Sequence, residues 1–142
     1  MKIGLFGINM GQEEAPDNLP LLAARVEALG FESVWTGEHV MIPLEYGSHT
    51  TTLRLGTGIN LLPQSNPLLF AKQVASLDHL SKGRLLLGLG VGWLAEEFQA
   101  MGAEFKGRGK RFDDYLMAVK KVWSGEVVEL QSEYLHWSGF KS

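Results

Sequence analysis

Two apolar runs of strand length, from Leu53 to Pro63 and from Arg84 to Trp93, flank one longer amphipathic run. That alternation predicts a strand, a helix and a second strand. Both strand runs are apolar on both faces, as in a parallel sheet covered by helices. Both also turn glycine-rich toward their C-terminal ends, at Gly56, Gly58, Gly88, Gly90 and Gly92. Glycine weakens a strand interior unless something must approach the backbone closely. Ligands of parallel α/β sheets sit at the C-terminal strand ends. The pattern therefore points to a flat ligand against two neighbouring strand ends.

The rest of the chain repeats the unit. Lys2 to Ile8 reads as a first strand, followed by a polar loop from Asn9 to Pro16. Asp17 or Asn18 can cap the next helix, whose apolar positions are Leu19, Leu22, Ala23, Val26 and Leu29. Gly30 supplies its stop. Phe31 to Thr36 is a second strand ending in Gly37-Glu38-His39. Val40 to Thr52 breaks the pattern. A parallel crossover needs a dozen or so residues, usually a helix. This stretch carries Pro43, Gly47 and Thr50-Thr51-Thr52, so an extended crossover or a lost helix is expected.

After the third strand, Pro63 to Pro67 is a turn with a cap at Asn66. Leu69, Val74, Leu77 and Leu80 give the following helix its apolar side, and Lys82-Gly83 ends it. Trp93 to Phe98 reads as a short helix, and Lys106 to Lys110 as a basic, glycine-rich loop. Phe112, Tyr115, Leu116, Val119 and Trp123 form one more helical stripe. Glu126 to Ser142 reads as a hairpin or an irregular tail. Strand, loop and helix thus recur four times with one helix missing. The expected class is α/β: half of a (β/α)8 TIM barrel, about four parallel strands with covering helices, in one domain over residues 1–142 with a shortened segment at 40–52.

Composition changes this picture little. The chain has 142 residues, 45% of them apolar and 20% charged, as in a soluble globular domain. A net charge of −3 with scattered Lys and Arg gives no nucleic-acid footprint. Without cysteine there is neither a disulfide framework nor a thiolate metal site. No run reaches membrane-spanning length and no signal peptide is legible, so a cytoplasmic protein is expected.

Candidate chemistry sits on the loops. His39 follows Glu38 at a strand's C-terminal end, where barrel enzymes carry functional groups; a loop histidine with a hydrogen bond reads equally well. His79, beside Asp78 near a helix C-terminus, suits the helix dipole and reads as structural. His49 and His136 carry no signal, and four separated histidines make no metal site. Glu96 and Glu97 could be acid/base carboxylates, but read more readily as partners of Arg108 or Arg111 that fix the loop after strand four. Trp93 could stack on a flat ring and Asn60 could hydrogen-bond one; both could equally be core or turn residues. Gly88-Leu-Gly-Val-Gly92 lacks the third glycine of a dinucleotide fingerprint, since Trp93 stands there.

Taken together, several stretches resemble the bacterial luciferase-like monooxygenase family. They are Leu55 to Pro63, Asn66-Pro67 with Ala71 to Ala75, Leu77 to Arg84, Gly88 to Trp93 with Glu96-Glu97-Phe98, and Arg108 to Arg111. The likeness is greatest to the branch that uses the 5-deazaflavin coenzyme F420 in place of FMN. The resemblance implies an eight-stranded barrel with the flavin ring at the C-terminal strand ends. It implies a non-prolyl cis peptide on the third strand, here Gly58-Ile59. Gly58, Ile59, Asn60, Gly90, Gly92 and Trp93 would bind the cofactor, with His39 and Glu38 as the catalytic pair on the neighbouring wall. His39, Asn60, Gly90 and Trp93 would then share one concave face. The implied chemistry is hydride transfer to or from the ring, or oxygen activation on reduced FMN, acting on a small-molecule substrate.

Family members continue past the position of Ser142 into four further strands and have a longer segment between the second and third. The first expectation is therefore a flavin- or F420-dependent oxidoreductase represented by its N-terminal half. A rival is a non-catalytic half-barrel that self-associates, because open strand edges and an apolar inner face favour pairing. A nucleotide-binding module without redox chemistry is a third. A homo-oligomer is expected, without nucleic-acid or membrane partners.

Overall fold

A computed structural model describes residues 2–7, 18–37 and 52–141 of the chain. These residues form two compact units, one from the residues up to Asn60 together with Leu77–Leu89, the other from Leu61–Ser76 together with the residues from Gly90 on.

The first unit holds a parallel sheet. Its strands are β1 (Gly4–Phe6), β2 (Ser33–Thr36), β3 (Arg54–Leu61) and β4 (Leu85–Gly90), hydrogen-bonded in chain order. Leu5 lies opposite Val34, and Val34 opposite Leu55. Helix α1 (Leu19–Ala28) covers the sheet. Ala23 and Val26 on the helix pack with Val34, Leu53 and Leu55 on the strands, and Leu5, Leu22, Phe31 and Leu85 close round them. Gly30, at φ +85°, ends the helix as expected. Of the two capping candidates, Asn18 stands at the N-cap but its side chain makes no capping bond, and Asp17 lies outside the described residues. The α1 residue Glu27 fixes the start of β3. One of its carboxylate oxygens accepts from Thr52 N, Thr52 Oγ1 and Leu53 N at 2.7–2.8 Å. The expected break between the second and third strands, Val40 to Thr51, lies outside the described residues.

The second unit begins with a 3-10 turn over Leu62–Gln64 that leads into helix α2 (Pro67–Leu80). Asn66 caps α2: its Oδ1 accepts from Leu68 N at 3.0 Å and Leu69 N at 3.1 Å. Replacing Asn66 with alanine is expected to lower stability by about 1 kcal/mol in urea denaturation. Replacement by serine should recover most of that. The buried stripe of α2 is Pro67, Phe70, Ala71 and Val74, with Leu77 half-buried. Leu69 and Leu80, assigned to that stripe from the sequence, are exposed, because they lie off the line that Phe70, Val74 and Leu77 follow at helical spacing.

Helix α3 (Ala95–Ala100) starts two residues later than its sequence suggests, so Trp93 precedes it. Helix α4 (Arg108–Trp123) starts within the stretch read as a loop: Lys106 and Gly107 form a turn, but Arg108 to Lys110 are already helical. Gly107, at φ +72°, makes the left-handed turn, and Arg111 N closes onto Gly107 O at 3.0 Å. The buried stripe of α4 is Arg111, Ala118, Val119 and Val122, with Tyr115 beside it, while Trp123 is exposed and donates Nε1–H to Ala71 O at 2.9 Å. The tail is a hairpin of β5 (Val127–Gln131) and β6 (His136–Lys141). Leu130 and Leu135 pack on Ala118.

Candidate functional site

Four of the five strand-end glycines have a protein neighbour that a side chain would strike. Trp35 lies opposite Gly56 on the adjacent strand, and its indole ring covers the glycine. A Cβ on Gly58 would sit 2.9 Å from Phe6 Cε2, and one on Gly88 would run into the carbonyl of Thr57. At Gly92, φ is +76° and a Cβ would meet Phe98 Cε2 at 2.7 Å. The close approach that the glycine pattern implied is thus made, at these four positions, by other parts of the protein.

In the first unit, Gly58, Ile59 and Asn60 follow one another at the C-terminal end of β3, and the Gly58–Ile59 peptide is cis, as the resemblance implied. Ile59 is 41% and Phe6 61% exposed. With Gly58 between them, they make an apolar platform at the strand ends. Phe6 had no functional assignment from the sequence; its position at the C-terminal end of the first strand was the available signal. Behind the platform, Thr57 is buried, and its hydroxyl bonds Gly88 on β4.

In the second unit, Gly90, Val91, Gly92, Trp93 and Leu94 run from the end of β4 to α3. Trp93 is 81% exposed, and Val91 and Leu94 are exposed too. The loop is held from behind. Phe98 is fully buried beneath Gly92 and meets Phe105 edge-on, with centroids 5.4 Å apart. Arg108 donates Nε–H to Gly92 O at 2.9 Å, and its guanidinium lies 3.9 Å from the Phe105 ring centroid. Arg111 donates to Pro63 O at 3.2 Å and to Glu104 O. The pairing expected between Glu96 or Glu97 and these arginines is therefore absent: a guanidinium matches carbonyls as well as carboxylates, and α4 delivers both arginines to main chain. Phe98 and Arg108 hold the loop in place, a role that requires knowing which turn of α4 faces it.

His39 and Glu38 lie outside the described residues. His79 is in the last turn of α2, as expected. Among the described residues, no group of three His, Asp or Glu side chains could hold a metal ion, and no helix is long and apolar enough to cross a membrane.

A four-stranded parallel sheet with covering helices is α/β architecture of the kind that makes up part of a (β/α) barrel. The chain belongs to the luciferase-like monooxygenase family, whose pattern it matches over residues 2–142. A putative coenzyme F420-dependent oxidoreductase of Mycobacterium tuberculosis is 35% identical over 138 residues, covering 89% of this chain and 38% of the relative. Among solved structures, a monooxygenase of Streptomyces bottropensis superposes with a TM-score of 0.81 at 28% identity, covering 98% of this chain and 47% of the other. The oxygenating constituent of 3,6-diketocamphane monooxygenase of Pseudomonas putida, in complex with FMN, shares the fold at a TM-score of 0.80 and 19% identity, covering 100% and 44%. The chain spans about a third to a half of the length of the relatives it matches.

Proposed function

We propose that this chain supplies one wall of the active site of a flavin- or F420-dependent oxidoreductase, carrying out hydride transfer or oxygen activation on a small-molecule substrate. Relatives bind both kinds of cofactor, and the greater identity to a putative F420-dependent oxidoreductase favours F420 over FMN. The observation that carries the reading is the set of apolar groups left exposed at strand ends: Phe6 and Ile59 in the first unit, Val91 and Trp93 in the second. A flat tricyclic ring needs such surfaces, and covering them would remove apolar area from water. Gly58, Ile59 and Asn60 on the first unit would be cofactor contacts, and Gly90, Gly92 and Trp93 on the second are cofactor-binding candidates in their own right. His39 and Glu38 would handle protons beside it. The cofactor, when bound, supplies the redox chemistry; the chain orients the ring and shields it from water.

Titration with F420 and with FMN, followed by absorbance and fluorescence, tests this reading. Saturable one-to-one binding of either is expected. Replacing Trp93 with alanine should weaken that binding by about tenfold, the scale of one aromatic stacking contact. Stability should change by less than about 0.5 kcal/mol, because the side chain is exposed. No saturable change with either cofactor would overturn the proposal.

A second reading has its own observation. β1 and β4 are the outer strands of the sheet, and Ile3, just before β1, and Phe6, at its end, are exposed. Exposed edge strands pair with other copies. Under this reading the chain is a non-catalytic, self-associating half-barrel. Light scattering would then give twice the chain mass, with no cofactor binding.

A further inference from the structure

Thr57 stands one residue before the Gly58–Ile59 peptide, and its hydroxyl makes two hydrogen bonds to one residue of the next strand. Gly88 N–H donates to Thr57 Oγ1 at 3.0 Å, and Thr57 Oγ1 donates to Gly88 O at 3.1 Å. A hydroxyl can do both, having one proton and two lone pairs. In a regular parallel ladder these two groups of Gly88 would bond to main chain. Here a side chain reaches both of them. The Thr57 hydroxyl therefore ties β3 to both polar groups of Gly88. Gly88 completes the joint by lacking a side chain. The Thr57 carbonyl faces its Cα, and Ile59 Cγ2 lies 3.4 Å from the place a Cβ would take.

We propose that Thr57 is a positioning residue: its paired bonds to Gly88 set the spacing of β3 from β4, and so the pose of Gly58, Ile59 and Asn60 toward the ring. The proposal rests on the reading of these strand ends as a cofactor site, and it adds a residue buried behind that surface. Valine at position 57 would keep the shape and remove both bonds, leaving an N–H and a C=O on half-buried Gly88 without that partner. Serine would keep the hydroxyl and lose only a methyl group.

The test compares wild type with Thr57→Val and Thr57→Ser in two measurements. One is amide hydrogen exchange at Gly88, followed by NMR without cofactor. The other is the dissociation constant for F420 and for FMN. In Thr57→Val, Gly88 exchange should rise about tenfold more than exchange in the β1–β2 ladder, which separates a local change from general loosening. Cofactor binding should weaken about tenfold, and Thr57→Ser should return both to within about twofold of wild type. Unchanged exchange at Gly88 in the valine variant overturns the proposal. So does raised exchange with unchanged binding, which would make the hydroxyl a strand staple and nothing more. A serine variant as impaired as the valine variant also overturns it. If wild type binds neither cofactor, the functional reading falls by itself, and exchange at Gly88 still decides whether the hydroxyl holds the strands. Should Thr57→Val not fold, Thr57→Cys takes its place, since a thiol is a weaker and longer partner.

Discussion

Replacing Gly88 with alanine is expected to destabilise the protein by about 3 kcal/mol, the upper range for overpacking a filled site. The added Cβ would land on the backbone carbonyl of Thr57, which cannot swing aside as a side chain can. Relief requires β3 and β4 to separate, and separation breaks both bonds between Gly88 and the Thr57 hydroxyl. The sign of the effect is informative. Alanine for glycine at an unstrained position stabilises slightly, by lowering the entropy of the unfolded chain. Urea denaturation of Gly88→Ala should show a clear loss, and a neutral or stabilised variant would mean that the strands are not this close. The neighbouring glycine, Gly83, gives the contrast. It has no neighbour within reach, but its φ of +75° makes alanine costly there through backbone conformation.

The second large effect is expected at Arg111. Its side chain is buried, donates to Pro63 O and Glu104 O, and lies 5.5 Å from the centroid of the Tyr134 ring. Arg111→Met keeps much of the stem and removes both charge-assisted bonds, so the two carbonyls lose their donor. The expected loss is roughly 3 to 5 kcal/mol, from two bonds to a charged donor and the desolvation of what remains. Lysine should recover little, because an ammonium group cannot span both acceptors as the planar fork does. A loss below about 1 kcal/mol in Arg111→Met would show that these bonds are exchanged for water at no cost.

The two substitutions also mark how far the sequence can be read. The parallel strands, α1 and α2 are legible because each carries its own period and its own stop, while the hairpin was one of two readings of a tail that alternates only loosely. The glycines are legible as places of close approach. What approaches them is not, because that depends on register between strands far apart in sequence: Trp35 reaches Gly56 only because those two residues fall opposite each other. Lys106 to Lys110 has the composition of a solvated loop, and only the left-handed turn at Gly107 shows that the helix has already begun at Arg108. The buried face of α4 was drawn from its large apolar residues, which passed over Ala118 and the charged Arg111. A guanidinium inside the protein cannot be foreseen without the carbonyls that receive it. Of the site, the run from Gly58 to Asn60 and the run from Gly90 to Trp93 were named from the sequence. Phe6 and Thr57 were given no role, since each acts on a residue distant in the chain; Phe98 stood only within a motif, and Arg108 was read as a carboxylate's partner, whereas it holds the loop through Gly92 O.

The central claim is that these strand ends hold a flavin-type ring. It is tested most directly by hydrogen exchange with mass spectrometry on the chain with and without saturating F420 or FMN. The account predicts exchange slowed about tenfold in peptides covering Gly58–Asn60 and Gly90–Trp93, with the outer face of α4 around Met117 unchanged. No slowing with either cofactor, or slowing confined to other segments, would contradict it.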